Sequence, residues 1–198
     1  MTTLHQGIRS NPSGDWPEID PTAFVDPSAQ IIGNVRIGER VYVAPMVVIR
    51  ADEADAEGRV QPIVIEAETN IQDGVIIHSM AGLPVTIGRG ASIAHGVILH
   101  GPCTIGESCF VALRATIYSA ILEDYVWVGI GSTVMRTTVP SHTMIPAGSV
   151  IRTSSDVRTF RFINEKEEKY QANVFSAAAA LREGYAGLNE STRPEKTG

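Results

Sequence analysis

The sequence is poor in cysteine, in charge and in long apolar runs. Its 198 residues include two cysteines, Cys103 and Cys109, too few for a disulfide framework, so a reducing cytoplasm is the default expectation. Charged residues make up 19%, below the roughly 25% usual for soluble chains. That shortage points to surface covered by partner subunits. Sixteen basic residues stand against 22 acidic ones, a net charge of −6, so nothing electrostatic favours nucleic acid or an anionic membrane as a partner. No apolar run approaches the ~20 residues that span a bilayer, and the opening stretch MTTLHQGIRSNPSGDW lacks the apolar core of a secretory signal. The 43% of hydrophobic residues excludes disorder as the overall state.

The hydrophobic residues follow a period of six. Aliphatic side chains recur at Val25, Ile31, Ile37, Val43 and Ile49, then at Ile65, Ile71 and Ile77, then at Ile87, Ile93, Leu99, Ile105, Val111 and Ile117. A slip of one residue follows, then Leu122, Val128 and Val134. Four places after many of them stands a small or β-branched residue, as at Ala29, Val35, Val41 and Val47. A helical stripe repeats at 3.6 and cannot give this pattern. Short strands joined by corners can, with glycine in Ile37-Gly38, Ile87-Gly88 and Ile105-Gly106 supplying positive φ at the turns. Such strands wind into a parallel β-solenoid.

The pattern resembles the hexapeptide-repeat proteins. That resemblance implies an all-β, left-handed parallel β-helix of triangular section, with three hexapeptides per turn. The expected organisation is an N-terminal arm over 1–19, the β-helix over 20–152, a C-terminal α-helix over 153–188 and a polar tail over 189–198. Two interruptions of the frame, Asp52 to Pro62 and Ser79 to Pro84, read as protruding loops. In the helical segment Tyr170, Val174, Ala178, Leu181 and Tyr185 recur at three- and four-residue steps, with Gly184 near the expected C-cap. This helix should pack on a prism face, its own or a neighbour's.

Of the five histidines, His5 and His142 carry no assigned role. His78 follows Ile77 by one, and His100 follows Leu99 by one. If the short second loop is an insertion in one 18-residue turn, the two stack on one face, about 4.8 Å apart at the backbone. They could then converge on one metal ion. His95 follows Ile93 by two and belongs to another face, so a second chain would have to bring it to the pair. Three imidazoles leave a coordination position open for water, the pattern of a catalytic metal site. The blander reading of each histidine is a polar surface residue.

The segments VVIRADE (47–53), NIQDGVIIH (70–78), SIAHGVILHGP (92–102) and MIPAGSVI (144–151) resemble gamma-class carbonic anhydrases. The resemblance implies a homotrimer with active sites at its interfaces and carbon dioxide and bicarbonate as substrates. It implies His78, His95 and His100 as ligands of zinc, with iron or cobalt as alternatives. It also implies an Arg50–Asp52 pair across the interface, Gln72 donating to or orienting the reacting species, and Glu53 relaying a proton. Asn70 has a weaker claim on substrate, beside a turn-forming role. A solvated ion pair and a solvated glutamate are the plain alternatives for Arg50–Asp52 and Glu53. Two departures stand out. The loop SMAGLP carries no proton-shuttling carboxylate. The C-terminal helix has Ser176 and Ala178 where the family's tyrosine and asparagine reach the active site; Tyr170 and Asn173 could replace them only through a shift of about two helical turns. Rival functions are a metal-binding trimer with little hydratase activity and, last, a hexapeptide acyltransferase.

Overall fold

The computed structural model describes residues 7–191. Its strands wind into three parallel sheets, one of eight strands and two of seven, in which each strand pairs with its counterparts one coil before and one coil after. The eight-stranded sheet, called here the histidine face, includes Val48–Ala51, Ile76–His78, Ile98–His100 and Thr116–Tyr118. A second sheet, the helix face, includes Tyr42–Val43, Asn70–Ile71, Ser92–Ile93, Phe110–Val111 and Trp127–Val128. The third includes Val35–Ile37, Ile63–Ile65, Val85–Ile87 and Cys103–Ile105.

The six-residue frame explains the winding. Ile31 faces Ile49, Ile49 faces Ile77, Ile77 faces Leu99 and Leu99 faces Ile117, and all five are fully buried. Each contributes about 1.5–3 kcal/mol of burial. The one-residue slip also has its counterpart, with Ile105 facing Leu122. Cys103 and Cys109 fill small inward slots, and burial pushes the Cys109 thiol up to about 12. The glycines of the Ile-Gly pairs serve a different end from the one expected. Gly38, Gly88 and Gly106 lack positive φ. A Cβ on Gly106 would stand 2.6 Å from the next coil's backbone, so close coil approach excludes side chains there. The left-handed corners are taken instead by residues such as Arg40, Glu68 and Ser108, and by a separate set of glycines that includes Gly96.

The solenoid begins inside the segment read as an arm. Strands Ile8–Arg9 and Glu18–Ile19 pair with Gln30–Gly33 and Val35–Ile37. The hexad is interrupted there by a turn in which Asn11 bonds Asp15 and the Ala51 carbonyl. At the other end the helix α1 spans Glu165–Ser191, so 153–163 precedes it. Asn164 caps its start: Lys166 N donates to Asn164 Oδ1, and Asn164 N donates to Glu167 Oε2, both at 2.9 Å, a reciprocal capping box. The helix continues through Gly184, which is therefore no cap; an interior glycine costs about 1 kcal/mol relative to alanine. Residues 192–198 of the expected tail, and His5, lie outside the described residues. Within them, no helix is long and apolar enough to cross a membrane.

α1 lies on the helix face of its own chain. Tyr185 stacks on Phe24 at 5.3 Å, Tyr170 meets Phe110 and Trp127 edge-on at 5.8 Å, and Ala178 is buried. These contacts come from the stripe expected for its inner side.

Candidate metal centre

Strand alternation sends Ile77 and Leu99 inward and the residues beside them outward. Parallel register then makes a column of Arg50, His78, His100, Tyr118 and Met135 on the histidine face. The stacking of His78 and His100 inferred from the frame is thus realised. Their rings lie 5.2 Å apart at 81°, and Tyr118 lies 5.5 Å beyond His100. The two frame interruptions both leave from this face and form its rim, where Ala81 N donates to Glu53 Oε2 at 3.2 Å.

Burial and charge give this cluster its chemistry. His78 is 7% exposed. Its Nε2, His100 Nδ1 and Asp52 Oδ1 are all buried without a hydrogen-bond partner. Burial is the chief cause holding the His78 imidazole below its ordinary pKa; the Arg50 charge adds to this, Glu53 and Asp52 oppose it, and His100 adds a little. A neutral imidazole is the form that binds a metal. His78 Nε2 lies 3.4 Å from Asp52 Oδ1 and 3.3 Å from Glu53 Oε1. The arrangement leaves two buried imidazole nitrogens and a carboxylate oxygen without hydrogen-bond partners, a deficit that a cation would relieve. Arg50 NH1 donates to Asp52 Oδ2 at 2.7 Å. The pair that the resemblance set across an interface is therefore already closed within one chain.

The remaining residues lie elsewhere. Asn70, Gln72 and His95 belong to the helix face and its corner toward the histidine face. Asn70 Oδ1 accepts from Gln72 Nε2 and from Ser92 Oγ, each at 2.9 Å. His95 projects from the corner, its side chain 54% exposed, with Nδ1 2.8 Å from Asp73 Oδ2. Gly96 at φ 68° makes the sharp turn that follows. A carboxylate this close to Nδ1 favours the tautomer with its proton there, whose Nε2 is free to bind a metal. Gln72 and His95 line a cleft of about 200 Å³ beneath α1, along with Ala178. Ser176 and Asn173 are exposed, while Tyr170, packed edge-on against Phe110 and Trp127, also lines this cleft.

Among the described residues of one chain, no group of three or more His, Cys, Asp or Glu is placed to hold a metal. The His78–His100 pair with its unpartnered atoms nevertheless fits two of an ion's ligands. Over 205 aligned residues the chain is 32% identical to a carbonic anhydrase of Methanosarcina thermophila, covering 90% of this chain and 81% of the relative. The chain belongs to the gamma-class carbonic anhydrase family. The family model for the bacterial transferase hexapeptide (six repeats) matches residues 17–51. Membership does not single out an activity: the chain is also 34% identical to a carnitine operon protein CaiE of Escherichia fergusonii, over 84% of this chain and 83% of that one. A hexapeptide transferase family protein from Anaplasma phagocytophilum superposes with a TM-score of 0.69 at 27% identity, covering 92% and 99% of the two chains. The fold is accordingly the left-handed parallel β-helix.

Sequence reasoning passed over Asp73 and Tyr118. Both were within reach of the frame. Asp73 stands one coil before His95, and Tyr118 one coil after His100.

Proposed function

We propose that this protein catalyses reversible hydration of carbon dioxide to bicarbonate at sites shared between subunits of a homotrimer. In this reading His78 and His100 of one chain, with His95 of a second copy, hold a zinc ion, or iron or cobalt in its place. The ion supplies Lewis-acid activation of water near neutral pH. The observation that carries the reading is the pair of buried, unpartnered imidazole nitrogens, His78 Nε2 and His100 Nδ1, on adjacent coils.

The chain's own residues then have distinct tasks. Glu53 is anchored through Oε2 by Ala81 N, while Oε1 lies toward His78. Its side chain is 46% exposed, so a proton taken up on the site side can leave to solvent or buffer. The Arg50–Asp52 pair holds the first loop against the column. Gln72, braced by Asn70, has an amide N–H and a carbonyl left to orient a small substrate. Exposed Ile76, Ile98, Leu113 and Ile130 flank the histidine face and the His95 corner, and they support burial of both against neighbouring copies. A cytoplasmic setting goes with the free thiols of Cys103 and Cys109.

One observation favours a second reading, a metal-binding trimer with little hydratase activity. Ala178, buried on the inner side of α1 at the cleft containing His95, offers no polar group to the substrate. The deciding experiment is stopped-flow carbon dioxide hydration by zinc-replete and anaerobic iron-replete protein, with metal content and sedimentation on the same samples. Metal-dependent hydration by a trimer is expected. A metal-replete trimer with no rate above buffer would establish the second reading instead.

A further inference from the structure

On the other side of the Asn70–Gln72 bond, away from His95, lies a separate cavity of about 360 Å³ between α1 and the helix face. Its lining includes Arg40, Tyr42, Asn70, Phe175, Ala178 and Arg182. Ala178 stands between this cavity and the cleft that contains His95, lining both. A larger side chain there would intrude on both.

The cavity has an unmet need. Asn70 is 2% exposed. Its Oδ1 is doubly used, by Gln72 and Ser92, but its Nδ2 is buried with no acceptor. An unmade buried donor costs about 1–3 kcal/mol, so the site favours a ligand that brings an acceptor oxygen. Two guanidinium groups line the cavity: Arg40, paired with Glu68 and Glu39, and Arg182, which meets a single carboxylate, Glu183. The Arg182 side chain is only 15% exposed and is aimed by its bond to the Arg40 carbonyl at 2.8 Å. A guanidinium has five donors, and two bonds from its NH1 and NH2 atoms, the second to Glu183 Oε1, leave others available. Burial pushes Tyr42 up to about 12, which keeps its hydroxyl protonated as another donor. The rings of Tyr42 and Phe175 and the methyl of Ala178 offer apolar wall.

We infer that this cavity is a second ligand site, which takes a small organic monocarboxylate with its carboxylate toward Asn70 and Arg182 and its short apolar body against Phe175 and Ala178. The site is distinct from the centre at His78 and His100, and its occupancy does not depend on the hydration reaction.

The test is isothermal titration of the metal-loaded protein with butyrate, with bicarbonate and uncharged butyramide as comparisons. Butyrate is expected to saturate, and bicarbonate and butyramide to bind at least ~10-fold more weakly, one lacking the apolar body and the other the charge. Ala178→Leu, which crowds the apolar wall, and Arg182→Met, which removes the charge at similar length, should each weaken butyrate ~10-fold or more, about 1.4 kcal/mol. Thermal melts by circular dichroism check that both variants fold. His100→Ala should leave butyrate affinity unchanged. Butyrate binding lost in His100→Ala but kept in both cavity variants would place the carboxylate on the metal and overturn the inference. Absence of saturable binding, or equal binding of bicarbonate, would overturn it too.

Discussion

The molecule carries two half-sites in opposite states. On the histidine face, His78 is buried with its Nε2 unsatisfied, beside His100 with an unsatisfied Nδ1. At the helix-face corner, His95 is more than half exposed and already has the Asp73 carboxylate 2.8 Å from its Nδ1. The first half holds a polar mismatch within the chain; the second is at ease in water. A single chain thus has an incentive to bind a cation but only two of the three imidazoles the proposed site needs; the third, His95, faces outward. The difference teaches that the exposed imidazole is the one free to travel between chains, because its own chain asks nothing further of it.

The largest expected effect comes from breaking either half. His78→Ala, His100→Ala and His95→Ala should each lose more than the ~10–100-fold in metal affinity typical of residues that only orient a ligand. Metal content after dialysis, and competition with a chelator, measure this. Metal retained at wild-type affinity in His95→Ala would leave the comparison with one half only, the pair on the histidine face being sufficient by itself.

The next effect comes from joining the halves across chains. His95→Ala and His100→Ala, each unable to bind metal, should regain some when co-refolded. A mixed trimer can bring one intact His95 to one intact His78–His100 pair, so at most about one site per mixed trimer returns. Subunit exchange is verified first by mass on differently tagged chains. No metal after verified exchange would remove support for a shared site, because a site built within one chain cannot be rebuilt by mixing.

How far the sequence reaches is visible in the same two regions. The His78–His100 stacking follows from frame arithmetic, since a 22-residue step between Ile77 and Leu99 is one coil plus a four-residue loop, and the register agrees. The first coil was missed because the Asn11–Asp15 turn interrupts the hexad. Side-chain states were also beyond reach. Periodicity places Arg50 and Asp52 but cannot say that they pair within the chain at 2.7 Å. It places Ala178 on the inner stripe of α1, yet the cavities on either side of it depend on how the helix settles against Asn70 and Gln72. Gly184 illustrates the limit of local signals: a glycine suited to a cap stands inside a helix that runs to Ser191.

A smaller effect sharpens the exposed half. Asp73→Ala should weaken metal binding ~10–100-fold, the usual result of removing a carboxylate that orients a ligand histidine. Asp73→Asn should recover part of this, since its carbonyl still accepts from His95 Nδ1 but without charge. Absorption of the cobalt-substituted protein reports whether the ligand set is retained. Equal affinity in wild type and Asp73→Ala would mean that the 2.8 Å bond does not orient the ligand.

The smallest effect belongs to the brace behind Gln72. Asn70 Oδ1 receives both Gln72 Nε2 and Ser92 Oγ, so Asn70→Ala frees the Gln72 amide and leaves two donors without their acceptor. One lost hydrogen bond of this kind is worth about 1 kcal/mol, which is roughly a five-fold change in a rate or binding constant. Gln72→Ala removes the amide itself and should lower kcat/KM for carbon dioxide hydration by at least as much. If Asn70 acts through Gln72, the double variant should be no worse than Gln72→Ala alone, because the brace has nothing left to hold. Full additivity of the two losses would mean that they act independently, and Asn70 would then affect the reaction through some contact other than this bond.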